Sequence, residues 1–233
     1  MSASPVAVRA ALRRLKQKGA LAEPSRGFLV IVPSEYRRLG CLPAEQFVPQ
    51  LMEHLREPYY VALLSAAELH GAAHQRPQVF QVMLPHNRRS IACGQVRVEF
   101  VARHDMTSTP IVERRTPRGF VRVATPEAAA LELVGYQDRC GGLDNVATVL
   151  AELAEHVDRA ALKGEARRAP VAWVQRLGYL LDLVGKQNLA RQLHPCVRSV
   201  KEDAPLLRSK RRAGAPRDAR WRLAVNSSVV PDL

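Results

Sequence analysis

Aromatic residues, cysteines and long apolar runs are scarce in this 233-residue sequence, of which Phe, Trp and Tyr make up only 5%. The four cysteines, Cys41, Cys93, Cys140 and Cys196, lie about fifty residues apart and form no CxxC pair, which argues against a zinc site and a disulfide scaffold. No stretch approaches the roughly 18 apolar residues of a membrane-spanning helix, and the N-terminus lacks a secretory signal pattern. These absences predict a protein of the reducing cytoplasm without a membrane partner.

The sequence also lacks the P-loop, GxSxG and GxGxxG motifs of common nucleotide-binding and hydrolytic enzymes. His70 and His74 have the spacing of two metal ligands on a helix. However, Gly71 interrupts that helix and no third ligand follows closely, which favours packing or polar capping instead. The densest carboxylates stand in helical contexts where capping and the helix dipole account for them; they are Glu127, Glu132, Asp138 and Asp144. We therefore expect no catalytic residues, no metal and no cofactor.

What the sequence does have is a surplus of positive charge. It contains 35 Lys and Arg against 22 Asp and Glu, a net charge of +13. Residues 1–22 hold five basic residues and no acid, and residues 198–222 hold nine basic residues against three acids. A surplus of this size is typical of proteins with an anionic partner, most often nucleic acid.

The basic N-terminus has the pattern of a helix followed by a hairpin. Ser4-Pro5 is a helix start and Gly19 a helix stop, and strands are expected on both sides of residues 23–27. This order predicts the recognition helix and wing of a winged helix-turn-helix; an ordinary amphipathic helix packed on a hairpin is the alternative. Near the helix start, Val6 and Arg9 would approach base edges, whereas Arg13, Lys16 and Arg26 would contact the DNA backbone. The predicted DNA-binding set is Ser4, Val6, Arg9, Arg13, Lys16 and Arg26.

The rest of the sequence predicts an α+β fold. Two helices are expected over Pro43–Leu55, broken or shifted by Pro49, and over Tyr59–Gly71. Alternation of apolar and polar residues then predicts a small, mainly antiparallel sheet within residues 78–123, and a C-terminal helical bundle over residues 125–202. The predicted domains are therefore a partial winged helix-turn-helix (1–33), connecting helices (34–76), a C-terminal domain (77–202) and a basic tail (203–233). The composition of residues 203–220 indicates an irregular or mobile segment. A tail that is folded against the C-terminal domain is the alternative.

Several segments, taken in order, resemble the AbiEi antitoxins, the regulators of type IV (AbiE) toxin–antitoxin systems. They are LSAAELHGAAHQRPQVFQV at 64–82, VATPEAAALELV at 123–134, GGLDNVA at 141–147 and RLGYLL at 176–181. The resemblance implies an N-terminal winged helix-turn-helix that binds operator inverted repeats and represses the protein's own operon. It also implies that the C-terminal domain counteracts a nucleotidyltransferase-like toxin without a stable complex, in phage defence by abortive infection.

One departure from the family pattern lies at the front of the chain. The sequence begins within four residues of the predicted recognition helix, so the two helices that would brace it are missing. The apolar stripe of this helix would then lack a cover; it consists of Val8, Ala11, Leu12 and Leu15. We expect a weakened, partly exposed N-terminal domain, and either a start codon further upstream or impaired DNA binding.

Two further loops are rich in arginine: Arg88 and Arg89 lie in one, and Arg114, Arg115 and Arg118 in the other. If the hairpins are neighbours, these side chains would form one basic face for RNA or DNA phosphate; two solvated turns are the alternative. A second hypothesis for the C-terminal domain is therefore an RNA-binding module, or an enzyme acting on nucleic acid or nucleotides.

Overall fold

A computed structural model of the chain describes residues 4–72 and 77–232. The chain divides into two compact units: the first comprises Met1–Val61 and Gln78–Val123, and the second Ala62–Pro77 and Ala124–Leu233. The chain therefore passes from one unit to the other three times. Among the helices of the described ranges, none combines the length and apolar character that crossing a membrane requires.

The first unit begins with helix α1, Pro5–Gln17. Ser4 caps it, because its Oγ accepts a hydrogen bond from the N–H of Ala7 at 3.2 Å, and Pro5 occupies a position where its missing N–H costs nothing. Gly19 follows the helix with a φ of +65°, which glycine adopts without steric cost. The predicted start and stop of this helix are confirmed.

An antiparallel hairpin follows α1 and consists of β1, Leu21–Ser25, and β2, Phe28–Ile31. The register shifts between Ala22 and Ser25, a bulge that increases the local twist of the strand. The predicted hairpin is confirmed, although β1 extends into residues expected to form the turn.

Helix α2, Ala44–Leu55, continues through Pro49, so the predicted break at this residue is wrong. A proline inside a helix costs about 3 kcal/mol because it removes one hydrogen bond and crowds the preceding turn. Phe47, Val48 and Leu51 are almost completely buried around it, and each such side chain contributes roughly 1.5–3 kcal/mol. Burial therefore outweighs the proline.

A six-stranded sheet forms the body of the first unit, in the order β5-β6-β4-β3-β8-β7. Strands β3 and β4 are antiparallel, as are β5 and β6, whereas β4 with β6 and β3 with β8 are parallel. The predicted α+β class is confirmed, and the sheet contains both strand directions. Its strands are β3 Tyr60–Val61, β4 Phe80–Leu84, β5 Ile91–Cys93, β6 Val96–Ala102, β7 Ile111–Thr116 and β8 Gly119–Ala124.

The helix predicted over Tyr59–Gly71 is wrong in its first turn. Tyr60–Val61 form strand β3, and helix α3 spans only Leu63–Leu69. The backbone of β3 pairs with β4 on one side and with β8 on the other. These long-range pairings outweigh the local helix propensity of an alanine- and leucine-rich run.

The second unit is helical, as predicted for its C-terminal part. Thr125 caps α4 by accepting a hydrogen bond from the N–H of Ala128, and Asp158 caps α6 by accepting one from the N–H of Ala161. The core of the unit is built largely of leucines from several helices. After α3, the helices are α4 Pro126–Gly135, α5 Gly142–Leu153, α6 Arg159–Ala166, α7 Val171–Leu183 and α8 Gln187–Val197.

The basic tail is folded rather than mobile, which decides the alternative that the sequence left open. Its short strands are β9 Ala204–Pro205, β10 Arg217–Asp218 and β11 Leu223–Ala224. Trp221 is 1% exposed and its Nε1–H donates to Asp182 Oδ2 of α7 at 2.7 Å. Burial of this one large side chain fixes the tail on the helices of its unit.

Two helical glycines give a matched test of this packing. A Cβ on Gly178 of α7 would lie 2.1 Å from the Trp221 ring, whereas one on Gly164 of α6 would meet no heavy atom within 4 Å. We expect Gly178→Ala to lower the free energy of unfolding by about 1–3 kcal/mol through overpacking. Gly164→Ala should raise it by about 0.5–1 kcal/mol through helix propensity. Urea denaturation measures both, and equal effects of the two substitutions would contradict the packing of Trp221 on α7.

Candidate nucleic-acid interface

Helix α1 presents a face of purely positive charge. None of its residues is buried, and it contains no Asp or Glu. Arg9, Arg13 and Lys16 are all exposed and follow one another at helical spacing along one side. The guanidinium of Arg9 lies back along the first turn, where its Nε–H donates to the carbonyl oxygen of Pro5 at 3.3 Å.

The apolar side chains of α1 are also accessible. Val8 is 44% exposed and Leu15 is 42% exposed, while Ala11 and Leu12 are half-buried. The predicted partial exposure of this stripe is confirmed. Val6, which the sequence placed near base edges, is 68% exposed at the start of the helix.

Glu23 connects the helix to the hairpin. Its carboxylate forms an ion pair with Lys16 of α1 and accepts a hydrogen bond from the N–H of Gly27 at 2.8 Å. The hydrogen bond from Lys16, followed by that from Gly27, lowers the pKa of Glu23 below its ordinary value of 4.5. Lys16, a predicted phosphate contact, is thus engaged with the carboxylate of Glu23. Arg26, in the turn of the hairpin, is exposed. Glu23 is not among the site residues predicted from the sequence.

The two predicted arginine loops lie at the same end of the sheet. However, Arg114 and Arg115 belong to strand β7 and only Arg118 lies in the turn, so that part of the prediction is wrong. Arg88 and Arg89 follow β4, while Arg114, Arg115 and Arg118 lie on the β7–β8 hairpin. Strands β4 and β7 point the same way, because β4 is antiparallel to β3, β3 is parallel to β8, and β8 returns from β7 after two residues. Their C-terminal ends are three strand positions apart, or about 14 Å.

The first arginine loop is only partly available to a ligand. Arg88 Nη1 lies 2.6 Å from Glu57 Oε1, and its guanidinium carbon lies 5.8 Å from the centre of the Phe100 ring. These contacts fix Arg88 within the first unit. Arg89, the next residue, is exposed.

The β7–β8 turn is fixed by hydrogen bonds and exposes an aromatic ring. Gln50 of α2 donates to the carbonyl oxygen of Arg118 at 3.1 Å, and Thr116 Oγ1 accepts from the N–H of Arg118 at 3.3 Å. Phe120, directly after the turn, is 58% exposed. Neither Gln50 nor Phe120 is among the predicted site residues; the bond of Gln50 spans 68 residues and therefore has no local signal in the sequence.

The folded tail carries a cationic loop of its own. Asn226 fixes this loop, because its Nδ2–H groups donate to the carbonyl oxygens of Leu207 at 2.8 Å and Lys210 at 2.9 Å. The four cations of the loop are exposed, although Lys210 donates to Ser227 Oγ and Arg212 to the carbonyl oxygen of Asp203. The four are Arg208, Lys210, Arg211 and Arg212.

Structural contacts account for three of the groups weighed as catalytic or metal-binding: His70, Glu127 and Asp144. Nε2 of the buried His70 lies 2.7 Å from a backbone carbonyl oxygen, and His74 lies outside the described residues. Glu127 accepts a hydrogen bond at 2.8 Å from the backbone N–H of the residue that caps α6. Asp144 accepts one from a backbone N–H near the C-terminus at 2.9 Å. Over residues 4–72 and 77–232, no three His, Cys, Asp or Glu side chains are grouped to hold a metal ion.

Comparison with known proteins gives a family match and a fold match. Residues 60–183 match the family model of the AbiEi antitoxin C-terminal domain. The crystal structure of the RV2827C protein from Mycobacterium tuberculosis is similar, with a TM-score of 0.65 and 18% sequence identity over 92% of this chain and 78% of that one. At this identity the likeness shows a shared fold. No curated protein matches the chain.

The ion pair of Glu23 gives a pH-dependent signal. Because the pKa of Glu23 is depressed in the folded chain, its contribution to stability is present above the unfolded-state pKa and is lost as the pH falls through the folded pKa. We expect the carboxyl carbon of Glu23 to titrate below pH 4.5 by NMR. Lys16→Met should raise this midpoint, and Arg13→Met, which removes a neighbouring exposed cation, should leave it in place. An unchanged midpoint in Lys16→Met would rule out the pairing.

Proposed function

Because the chain belongs to the AbiEi antitoxin family, we propose that it represses its own operon by binding operator DNA through α1 and the β1–β2 hairpin. Family membership makes it the antitoxin of a toxin–antitoxin system, with a toxin as its functional partner. The DNA-binding role is the part that this proposal adds. It rests on one observation, the exposed and acid-free cationic face of α1 immediately before a hairpin.

The dimensions of α1 suit the proposed contact. Its 13 residues give a length of about 20 Å. An α-helix with its side chains is about 10–12 Å in diameter, and the major groove of B-DNA, about 12 Å wide, accepts it. Ser4, Val6 and Arg9 lie at the end that would approach base edges. Arg13 and Lys16, further along, would meet phosphates and fix the register.

The hairpin would act as the wing. Arg26 lies in its exposed turn, where it would contact phosphate or the minor groove. Glu23 holds this turn to α1 through Lys16 and Gly27, so helix and wing would approach DNA in one fixed orientation. Lys16 has three N–H donors, so it would contact phosphate while it keeps its bond to Glu23.

For the toxin, we propose a nucleotidyltransferase-like enzyme of the cytoplasm, counteracted through residues 60–183 without a stable complex. The family match over this range supports the assignment. No catalysis is proposed for the antitoxin itself. Glu127 and Asp144, two of the four candidate carboxylates, each accept a hydrogen bond from a backbone N–H.

The DNA-binding proposal predicts different effects for Arg9 and Arg13. If Arg9 reads a guanine, Arg9→Ala should cost about 1–3 kcal/mol on operator DNA and relax one position of the site. Arg13→Ala should weaken binding to all sequences and reduce the slope of log affinity against log salt by about one. Gel shifts with operator and random duplexes at several salt concentrations measure both. Unchanged binding by both variants would exclude α1 as the DNA-binding element.

Toxin neutralisation provides the control for these variants. In cells that carry the toxin and a promoter reporter, Arg9→Ala with Arg13→Ala should release the promoter while growth remains protected. This result is expected because both residues precede the family-matched range of 60–183. Loss of protection at an unchanged antitoxin level would show that α1 acts on the toxin instead.

The β7–β8 hairpin favours a second candidate function, binding of single-stranded RNA. Arginines and an exposed aromatic ring are the combination that such ligands require, the former for phosphates and the latter for stacking on bases. Here the exposed ring of Phe120 follows Arg114, Arg115 and Arg118 on one hairpin. Arg89 lies at the same end of the sheet and would extend the basic surface.

Phe120→Ala tests this second candidate. Loss of one stacking contact should weaken binding of a labelled, mixed-sequence RNA by about 1–3 kcal/mol, measured by fluorescence anisotropy. Val171→Ala, which removes an apolar side chain of comparable exposure (43%) from the second unit, should not change the affinity. If RNA does not bind, or if both variants bind like the wild type, the hairpin is not an RNA site.

A further inference from the structure

Two backbone segments of the first unit cross at an unusually short distance. The N–H of Gln95 donates to the carbonyl oxygen of Leu39 at 2.8 Å, and a Cβ on Gly94 would lie only 2.8 Å from the Cα of Gly40. Gly40 and Gly94 have φ angles of +72° and +58°. Both the contact and the angles exclude larger residues here. One segment lies just before α2 and the other is the turn between β5 and β6.

This crossing brings two thiols together. Cys41 follows Gly40 and Cys93 precedes Gly94, and the segments run in opposite directions, so the two cysteines lie opposite each other. Their side chains are hydrogen-bonded, and both thiols are free.

The two thiols have different environments. Cys93 is partly exposed, whereas Cys41 is fully buried. Hydrogen bonds from Cys41 and from the backbone N–H of Glu23 lower the pKa of Cys93 to about 7. The same thiol contact and burial raise the pKa of Cys41. Cys93 is therefore the more accessible and more readily ionised thiol of the pair, and the thiolate is the reactive form of cysteine.

We propose that Cys41 and Cys93 are an oxidation site, at which hydrogen peroxide converts the two thiols into a disulfide. The Cys93 thiolate attacks one peroxide oxygen, the O–O bond breaks, hydroxide leaves, and Cys93 becomes a sulfenic acid. The sulfur of Cys41 then attacks the sulfur of Cys93 as its proton passes to the departing oxygen, and water leaves. In total, two thiols and one peroxide give one disulfide and two waters.

This pair differs from a single buried cysteine in its chemistry. A second thiol stands beside the accessible one, so the sulfenic acid is resolved within the chain before further oxidation. The disulfide would tie the segment before α2 to the β5–β6 turn, next to β1, whose Glu23 donates to the Cys93 sulfur. A small thiol would restore the reduced form by exchange.

The test uses the full chain with all four thiols reduced. After brief treatment with a small excess of hydrogen peroxide, free thiols are alkylated and the protein is digested for mass spectrometry. We expect a Cys41–Cys93 cross-linked peptide, in a chain lighter by two hydrogen atoms than the reduced protein. Limited alkylation of untreated wild type should label Cys93 several-fold faster than Cys196, which is also partly exposed.

Variants identify the role of each thiol. Cys93→Ser should abolish the cross-link, Cys196→Ser should leave it unchanged, and Cys41→Ala should let a sulfenic-acid trap capture Cys93. Because Cys41 is buried and its variant could be unstable, the wild-type measurements decide the proposal independently. It is overturned if peroxide consumes Cys93 without forming the cross-link, or if Cys196 reacts as fast as Cys93. No outcome depends on DNA binding.

Discussion

Pairing of the two-residue strand β3 with strands on both sides holds the six-stranded sheet together. Tyr60 and Val61 pair with β4, and Val61 also pairs with β8. Without this strand the sheet would separate into β5-β6-β4 and the β7–β8 hairpin, and an isolated hairpin is at best marginally stable in water. The turn that carries Arg118 and the exposed ring of Phe120 therefore depend on two buried residues at the centre of the sheet.

Features determined by local chemistry could be predicted from the sequence, and those determined by distant partners could not. Helix starts at Ser4, Thr125 and Asp158 were predictable because a capping side chain bonds to its own first turn. Strand β3 was not, because its partners lie about 20 and 60 residues further along the chain. The tail was ambiguous because one tryptophan, Trp221, fixes a segment whose composition is otherwise that of a mobile one.

The candidate site shows the same division. The exposed cations of α1 follow from helical spacing and from the absence of acids, both of which are visible in the sequence. Arg88 is different, because its pairing with Glu57 over 31 residues turns a predicted phosphate contact into a structural one. Lys16 is likewise engaged with Glu23. A count of basic residues therefore overstates how many are available to an anionic ligand.

The Asp and Glu side chains, although outnumbered by Lys and Arg, hold several of the cationic segments in place. Glu23 holds the hairpin, Glu57 holds Arg88, and Asp182 contacts both Arg220 and the Trp221 N–H. Asp203 pairs with Arg217 in the tail. Each carboxylate fixes a segment that also carries exposed cations, which would reduce the conformational entropy lost on the proposed binding of a polyanion.

The order of the segments along the chain has a consequence for inheritance. Because the first unit needs residues 78–123 to complete its sheet, while the second contains residues 62–77, no single cut in the gene separates the two. A chain that stops before residue 119 lacks β8 altogether, although it still contains α1 and the β1–β2 hairpin. A nonsense mutation in this region would thus not release the first unit as an intact domain. The two units are therefore encoded by interleaved segments and are inherited as parts of one coding sequence.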